Sequence, residues 1–136
     1  MKISEISLAF ALAGGVLGQM LGGFDGFLQC LIAFVVMDYV TGVLCALQNK
    51  KLSSAQGFRG ILKKILIFMV VGTGNLLDIT LLGGAGAPLR VAMIGFYLSN
   101  EGLSILENLG RLGVPLPKRL EAVIRELGEE EEQRHE

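Results

Sequence analysis

The sequence predicts an all-α membrane protein: a polytopic helical bundle of about four transmembrane segments, followed by a short polar C-terminal helix. Three observations carry that expectation. Of the 136 residues, 51 % are hydrophobic and 18 % charged, against roughly 25 % charged in a soluble domain. A chain this short leaves much of its surface exposed and could not hide so many apolar side chains from water, and its mean hydropathy is +0.57. The apolar residues also gather into stretches long enough to cross a bilayer, separated by glycine, proline and charge.

Residues 6–24 (ISLAFALAGGVLGQMLGGF) are 19 residues without a charge, the length a helix needs to cross about 30 Å of hydrocarbon. Lys2 ahead of an apolar run is also how a secretory signal begins. The remainder is equally membrane-like, so residues 1–24 are kept as part of the working protein. Gly22-Gly23-Phe24-Asp25-Gly26 reads as a tight turn. A second apolar stretch covers 27–47, with Asp38 near its middle. Residues 48–60 (QNKKLSSAQGFRG) read as a basic loop. A third stretch covers 62–82, opening with Lys63-Lys64 and holding Asp78 near its far end. Gly83 to Pro88 is a break, and a fourth segment, 89–106, carries Arg90 and Glu101. Residues 107–117 leave the membrane through Gly110, Gly113, Pro115 and Pro117, and 118–132 read as a short polar helix. Only the first stretch is free of charge over a full span. Three crossings and four therefore both stay open, with four preferred. Residues 1–117 form the transmembrane domain and 118–136 a polar, acidic tail.

Short loops rich in Lys and Arg stay in the cytoplasm. Lys50, Lys51, Arg59, Lys63 and Lys64 place the 48–64 region there and are expected to touch lipid headgroups. With four spans both termini are cytoplasmic, and the turn at Asp25 and the 83–88 break face outside.

Gly14, Gly18, Gly22 and Gly26 recur every fourth residue, which stacks them on one helix stripe. Gly42 and Ala46 make a weaker version. Small residues let helix backbones approach in lipid. The stripe packs either against span two of the same subunit or between subunits. Asp38 sits on a small, mildly polar face with Thr41, Gly42 and Cys45. Tyr97, Asn100, Glu101, Ser104, Glu107, Asn108 and Arg111 follow three- and four-residue steps and form one polar stripe. Such groups are costly in hydrocarbon unless paired, hydrated or neutralised. They either line water in an oligomeric pore or pair helices. The fourth segment could equally lie in the interface plane.

Other classes are disfavoured. The net charge is −1, with no positive field for nucleic acid. Cys30 and Cys45 lack metal or redox spacing and read as buried thiols. The sole histidine, His135, lies one residue from the end of the sequence, so neither a metal site nor a nucleophile–base pair is expected, and no cofactor. Gly14-Gly15-Val16-Leu17-Gly18 lacks the strand and Lys-Ser/Thr of a phosphate loop. An enzyme is not expected. The alternatives are a small oligomeric channel or scaffold subunit and, behind it, a small proton-coupled transporter using Asp38.

Asp38-Tyr39-Val40-Thr41-Gly42, Ala46, Lys50-Lys51-Leu52-Ser53-Ser54, Gly57, Gly60 and Lys63-Lys64 resemble the front of the bacteriophage holin and toxin-secretion holin family. Phe96-Tyr97-Leu98-Ser99-Asn100-Glu101-Gly102, then Leu103-Ser104-Ile105-Leu106-Glu107-Asn108, resemble its characteristic segment. Gly113-Val114-Pro115-Leu116-Pro117 is similar to its Gly-x-Pro-x-Pro exit. The resemblance covers residues 27–127. It implies a small multi-pass protein of the bacterial cytoplasmic membrane, encoded by a phage or a prophage or toxin locus. Such a protein oligomerises, opens lesions at a set time and lets an endolysin or toxin out, so that the cell lyses. The partners implied are further copies of itself, membrane lipid, and a hydrolase or toxin that it serves with or without touching it. The glycine stripe lies outside the resemblance, and its role rests on local physics.

Overall fold

Four helices follow one another along the chain: α1 (Ile3–Met20), α2 (Gly26–Gln48), α3 (Ser54–Leu82) and α4 (Pro88–Arg111). The computed structural model describes residues 2–123 and Glu126, and among these there is no strand. A further helical turn covers 118–123; the rest of the tail expected as a polar helix lies outside the described residues.

The boundaries follow local chemistry. α1 ends in a reversal in which the Gly23 N–H reaches the Gly18 carbonyl (2.7 Å), with Gly22 and Gly23 at φ +88° and +100°. Glycine alone adopts those angles without strain. Asp25 then caps α2 by accepting from the Leu28 N–H at 2.9 Å. The basic loop is shorter than the sequence suggested. Ser53 accepts from the Gln56 N–H and starts α3 there, so Arg59, Lys63 and Lys64 are helical and the true loop is 49–53. α3 ends at Gly83 in the left-handed conformation, and Pro88 opens α4 at a position where a missing N–H costs nothing.

α2, α3 and α4 form the bundle. α4 lies between the other two. Its packing on α2 is the most extensive and that on α3 the next, whereas α2 and α3 meet only narrowly. Leu28, Leu31 and Val35 of α2, Ile67 and Val71 of α3, and Ile94 of α4 make its apolar core. A Cβ on Gly74 would sit 2.5 Å from Met93 Sδ and 3.3 Å from the Arg90 backbone nitrogen, so this glycine sets how closely α3 and α4 cross. Cys45 is buried as expected, but Cys30 lies on the exposed side of α2.

α1 stands apart. It touches no helix but α3, and its one buried residue is Gly18. α1, α2 and α3 are each long and apolar enough to cross a membrane. At 24 residues, α4 is about 36 Å long, yet its composition is too polar to belong with them.

Candidate functional site

Apolar burial alone holds helices together weakly in lipid, because the tails are as apolar as leucine. Close packing and interhelical hydrogen bonds, about 0.6–2 kcal/mol each, carry more of the specificity. Three polar groups of α4 point inward. Arg90, Glu101 and Asn108 are buried along with Ile94 and Ile105. They form two polar sites, one at the end of the bundle and one near its middle.

The end site gathers around Arg90. Its guanidinium donates to both Asp25 oxygens (2.7 and 3.1 Å) and to the carbonyls of Leu21 (2.5 Å) and Gly23 (3.0 Å). It thus ties the α1–α2 turn to the first turn of α4. Asp78, fully buried, accepts from the Leu89 and Arg90 N–H groups at 3.1 and 2.8 Å and caps α4 from α3. Asn75 donates to the Met20 carbonyl at 3.0 Å. A Cβ at Gly22 would lie 2.5 Å from Arg90 Nε and 2.7 Å from Asn75 Oδ1. Gly22 is therefore a glycine because the clamp passes over it. The Arg90 hydrogen bonds hold the Asp25 carboxyl below its ordinary range, helped by the Leu28 N–H.

The central site joins residues of all three bundle helices. Lys64 of α3 donates to Asp38 of α2 and, at 2.5 Å, to Glu101 of α4. Asn108 donates to Asp38 Oδ1 (3.2 Å) and to the Thr41 hydroxyl (3.0 Å). Asp38 and Glu101 are 8 % and 3 % exposed. A cavity of about 330 Å³ borders Asp38, Lys64 and Asn108, and its wall is completed by Tyr39, Gly42, Val43, Ala46, Leu52, Gln56, Gly57, Gly60, Lys63 and Ser104.

The stripe read on α4 is thus divided. Glu101 and Asn108 are inside, Ser104 borders the cavity and Tyr97 packs against the apolar core. Asn100 and Glu107 face outward, Glu107 paired with Arg111. Of the basic residues assigned to headgroups, Lys50, Lys51, Arg59 and Lys63 are exposed, whereas Lys64 is turned into the bundle. The glycine stripe is divided as well. A Cβ on Gly14 would meet nothing within 4 Å, one on Gly18 would strike the Phe24 ring, and Gly42 lies under Asn108. The stripe does not pack on α2. Lys64 as an ion-pair partner and Arg90 as a clamp went unread in the sequence. The only signal was an excess of membrane-depth acids that needed bases. Among the described residues no His, Cys, Asp and Glu cluster could hold a metal ion.

A model of the bacteriophage holin family matches residues 15–129. An uncharacterized protein of Listeria monocytogenes is 38 % identical over 122 residues, 88 % of this chain and 86 % of that protein. A 14.9 kDa protein encoded in the nagH 3′ region of Clostridium perfringens is 38 % identical over 125 residues, covering 92 % of this chain and 94 % of its own. A probable holin of Bacillus phage phi105 is 38 % identical over 91 residues, 67 % of this chain and 66 % of the phage protein. No solved structure matches.

Proposed function

The chain belongs to the bacteriophage holin family, and from that premise we propose that it assembles with its own copies in the bacterial cytoplasmic membrane and opens lesions through which an endolysin or a toxin leaves, so that the cell lyses. No chemical step is involved. The observation that carries the assembly step is α1. It is an apolar helix of 18 residues that uses almost none of its surface within its own chain. Its Gly14–Gly15 face opens on empty space, and backbones of neighbouring copies can approach there.

The bundle supports a four-span arrangement. α4 runs alongside α2 from Arg90 opposite Asp25 to Asn108 opposite Thr41. Once α2 and α3 cross the bilayer, α4 lies at the same depth, its costly groups sheltered between them. Lys50, Lys51, Arg59 and Lys63 then hold the 49–53 end in the cytoplasm, with both termini on that side. Residues 1–117 form the membrane domain and 118–136 a cytoplasmic tail. Asp38, Glu101 and Asn108 hold each copy together, and the outward Asn100 and Glu107 are the groups that meet water when copies assemble into a lesion.

Gly14→Leu tests the assembly step cleanly, because none of the described residues lies within 4 Å of a Cβ there; Leu at Gly18 or Gly22 would collide with Phe24 or Arg90. In a background with Cys30 and Cys45 replaced by serine, a single cysteine at position 11 should crosslink between copies, and adding Gly14→Leu should abolish that crosslink and delay lysis. Unchanged crosslinking and unchanged lysis timing would overturn the role of this face.

A further inference from the structure

Buried charge is matched differently at the two polar sites. At the end site Asp25 pairs with the Arg90 guanidinium, while Asp78 accepts from the backbone N–H groups of Leu89 and Arg90. Each also caps a helix, Asp25 at α2 and Asp78 at α4. A helix N-terminus acts as roughly half a positive charge, so the two termini and Arg90 together balance both acids. At the central site Lys64 is the only base paired with Asp38 and Glu101 among the described residues. All three lie well inside their helices, turns away from any terminus, where the macrodipole has faded. Fully ionised, this site would keep one uncompensated negative charge in the interior of the bundle, which burial strongly disfavours.

The other groups facing it do not supply the balance. Asn108 of α4 and Thr41 of α2 are neutral, and Tyr39 lines the cavity from α2. Lys63 of α3 lies on the cavity wall but is exposed, and no ion pair joins it to either acid. α1 packs on neither α2 nor α4. The cavity, however, extends from Leu52 and Gln56 beside the 49–53 loop to Asp38 and Lys64. At about 330 Å³ it has room for several water molecules, and its polar lining offers them partners.

We propose that Asp38 and Glu101 together bind one exchangeable proton, which enters from the 49–53 end through this cavity. With the proton held, one carboxyl is neutral, the other pairs with Lys64, and the central site carries no net charge. When the proton leaves, two carboxylates oppose each other across one ammonium and the contact between α2 and α4 weakens.

Infrared spectroscopy of the full chain in phosphatidylcholine vesicles reads the proton directly, because the carbonyl stretch of a protonated carboxylic acid lies apart from the carboxylate bands. The wild type at neutral pH should show such a band, and alkaline titration should convert it to carboxylate absorption equivalent to one carboxyl group per chain. Asp38→Asn and Glu101→Gln each leave one acid opposite Lys64 and therefore should each abolish the band. Both variants remove the excess charge, so both should fold. A wild type without the band overturns the proposal, as does a band of unchanged intensity in both variants.

Discussion

The two polar sites each gather two acids near one basic residue and differ in where along the helices those residues sit. Arg90, Asp25 and Asp78 meet at helix ends, where backbone N–H groups share the charge. Asp38, Lys64 and Glu101 meet at mid-helix, where only side chains do. The first arrangement is a fixed tie between the α1–α2 turn and the bundle. The second holds three helices together through one ammonium, and removing that ammonium leaves nothing in its place. Position relative to the helix termini, more than the number of ion pairs, separates an anchor from a poised contact.

Removing Lys64 should have the largest effect. Lys64→Met leaves two buried carboxylates with no base, and breaking a buried pair costs about 3–5 kcal/mol. The variant should fail to accumulate in membranes, and Asp38→Asn with Glu101→Gln should restore it; quantitative immunoblotting of membrane fractions reads both. If Lys64→Met accumulates normally, the contrast between the sites fails. Arg90→Lys comes next. It keeps the charge but loses the fork that reaches four oxygens, and should cost on the order of 1–3 kcal/mol, seen as a lower thermal midpoint in detergent micelles.

Acid should act at the end site more mildly. The Asp25 carboxyl is held below its ordinary value by Arg90. Its contribution is therefore complete above the unfolded value of about 3.9 and fades as pH falls through the lower folded value. Asp25 is half exposed, so the loss is modest. Comparing the thermal midpoints of the wild type and Asp25→Asn should show a gap at pH 6 that closes under strong acid. The smallest effect belongs to Glu107 and Arg111, an exposed pair one helical turn apart. Glu107→Gln should change stability by no more than about 0.5 kcal/mol in the same melt. A large shift there would mean that Glu107 contacts another copy.

Local chemistry made the helix order legible. Gly22 to Gly26 read as a turn and is one, and the glycine-rich break before Pro88 separates α3 from α4. The start of α3 was misread because Gly57 and Gly60 look like loop residues. They are helical, and a Cβ on either would lie 3.4 Å from the Tyr39 side chain, whose ring packs over them. The acids of the site stood out as costly at membrane depth, but their partners did not. Lys64 lies 26 residues from Asp38 and 37 from Glu101, beyond any helical spacing. Lys64 beside Lys63 resembles a headgroup anchor until the fold turns it inward. α4 hid its role for a related reason. Its polar stripe is split, with Glu101 and Asn108 buried and Asn100 and Glu107 exposed, and sequence spacing alone does not separate the two groups.

Inducible expression in bacteria, with membrane potential followed in time and a co-expressed endolysin assayed outside the membrane, bears on the function of the whole assembly. A holin should leave the potential intact while it accumulates, then collapse it abruptly as the endolysin escapes. Gly14→Leu should postpone that moment. A graded loss of potential from the onset of expression, with the endolysin retained inside, would instead mark a narrow channel and contradict lesion formation.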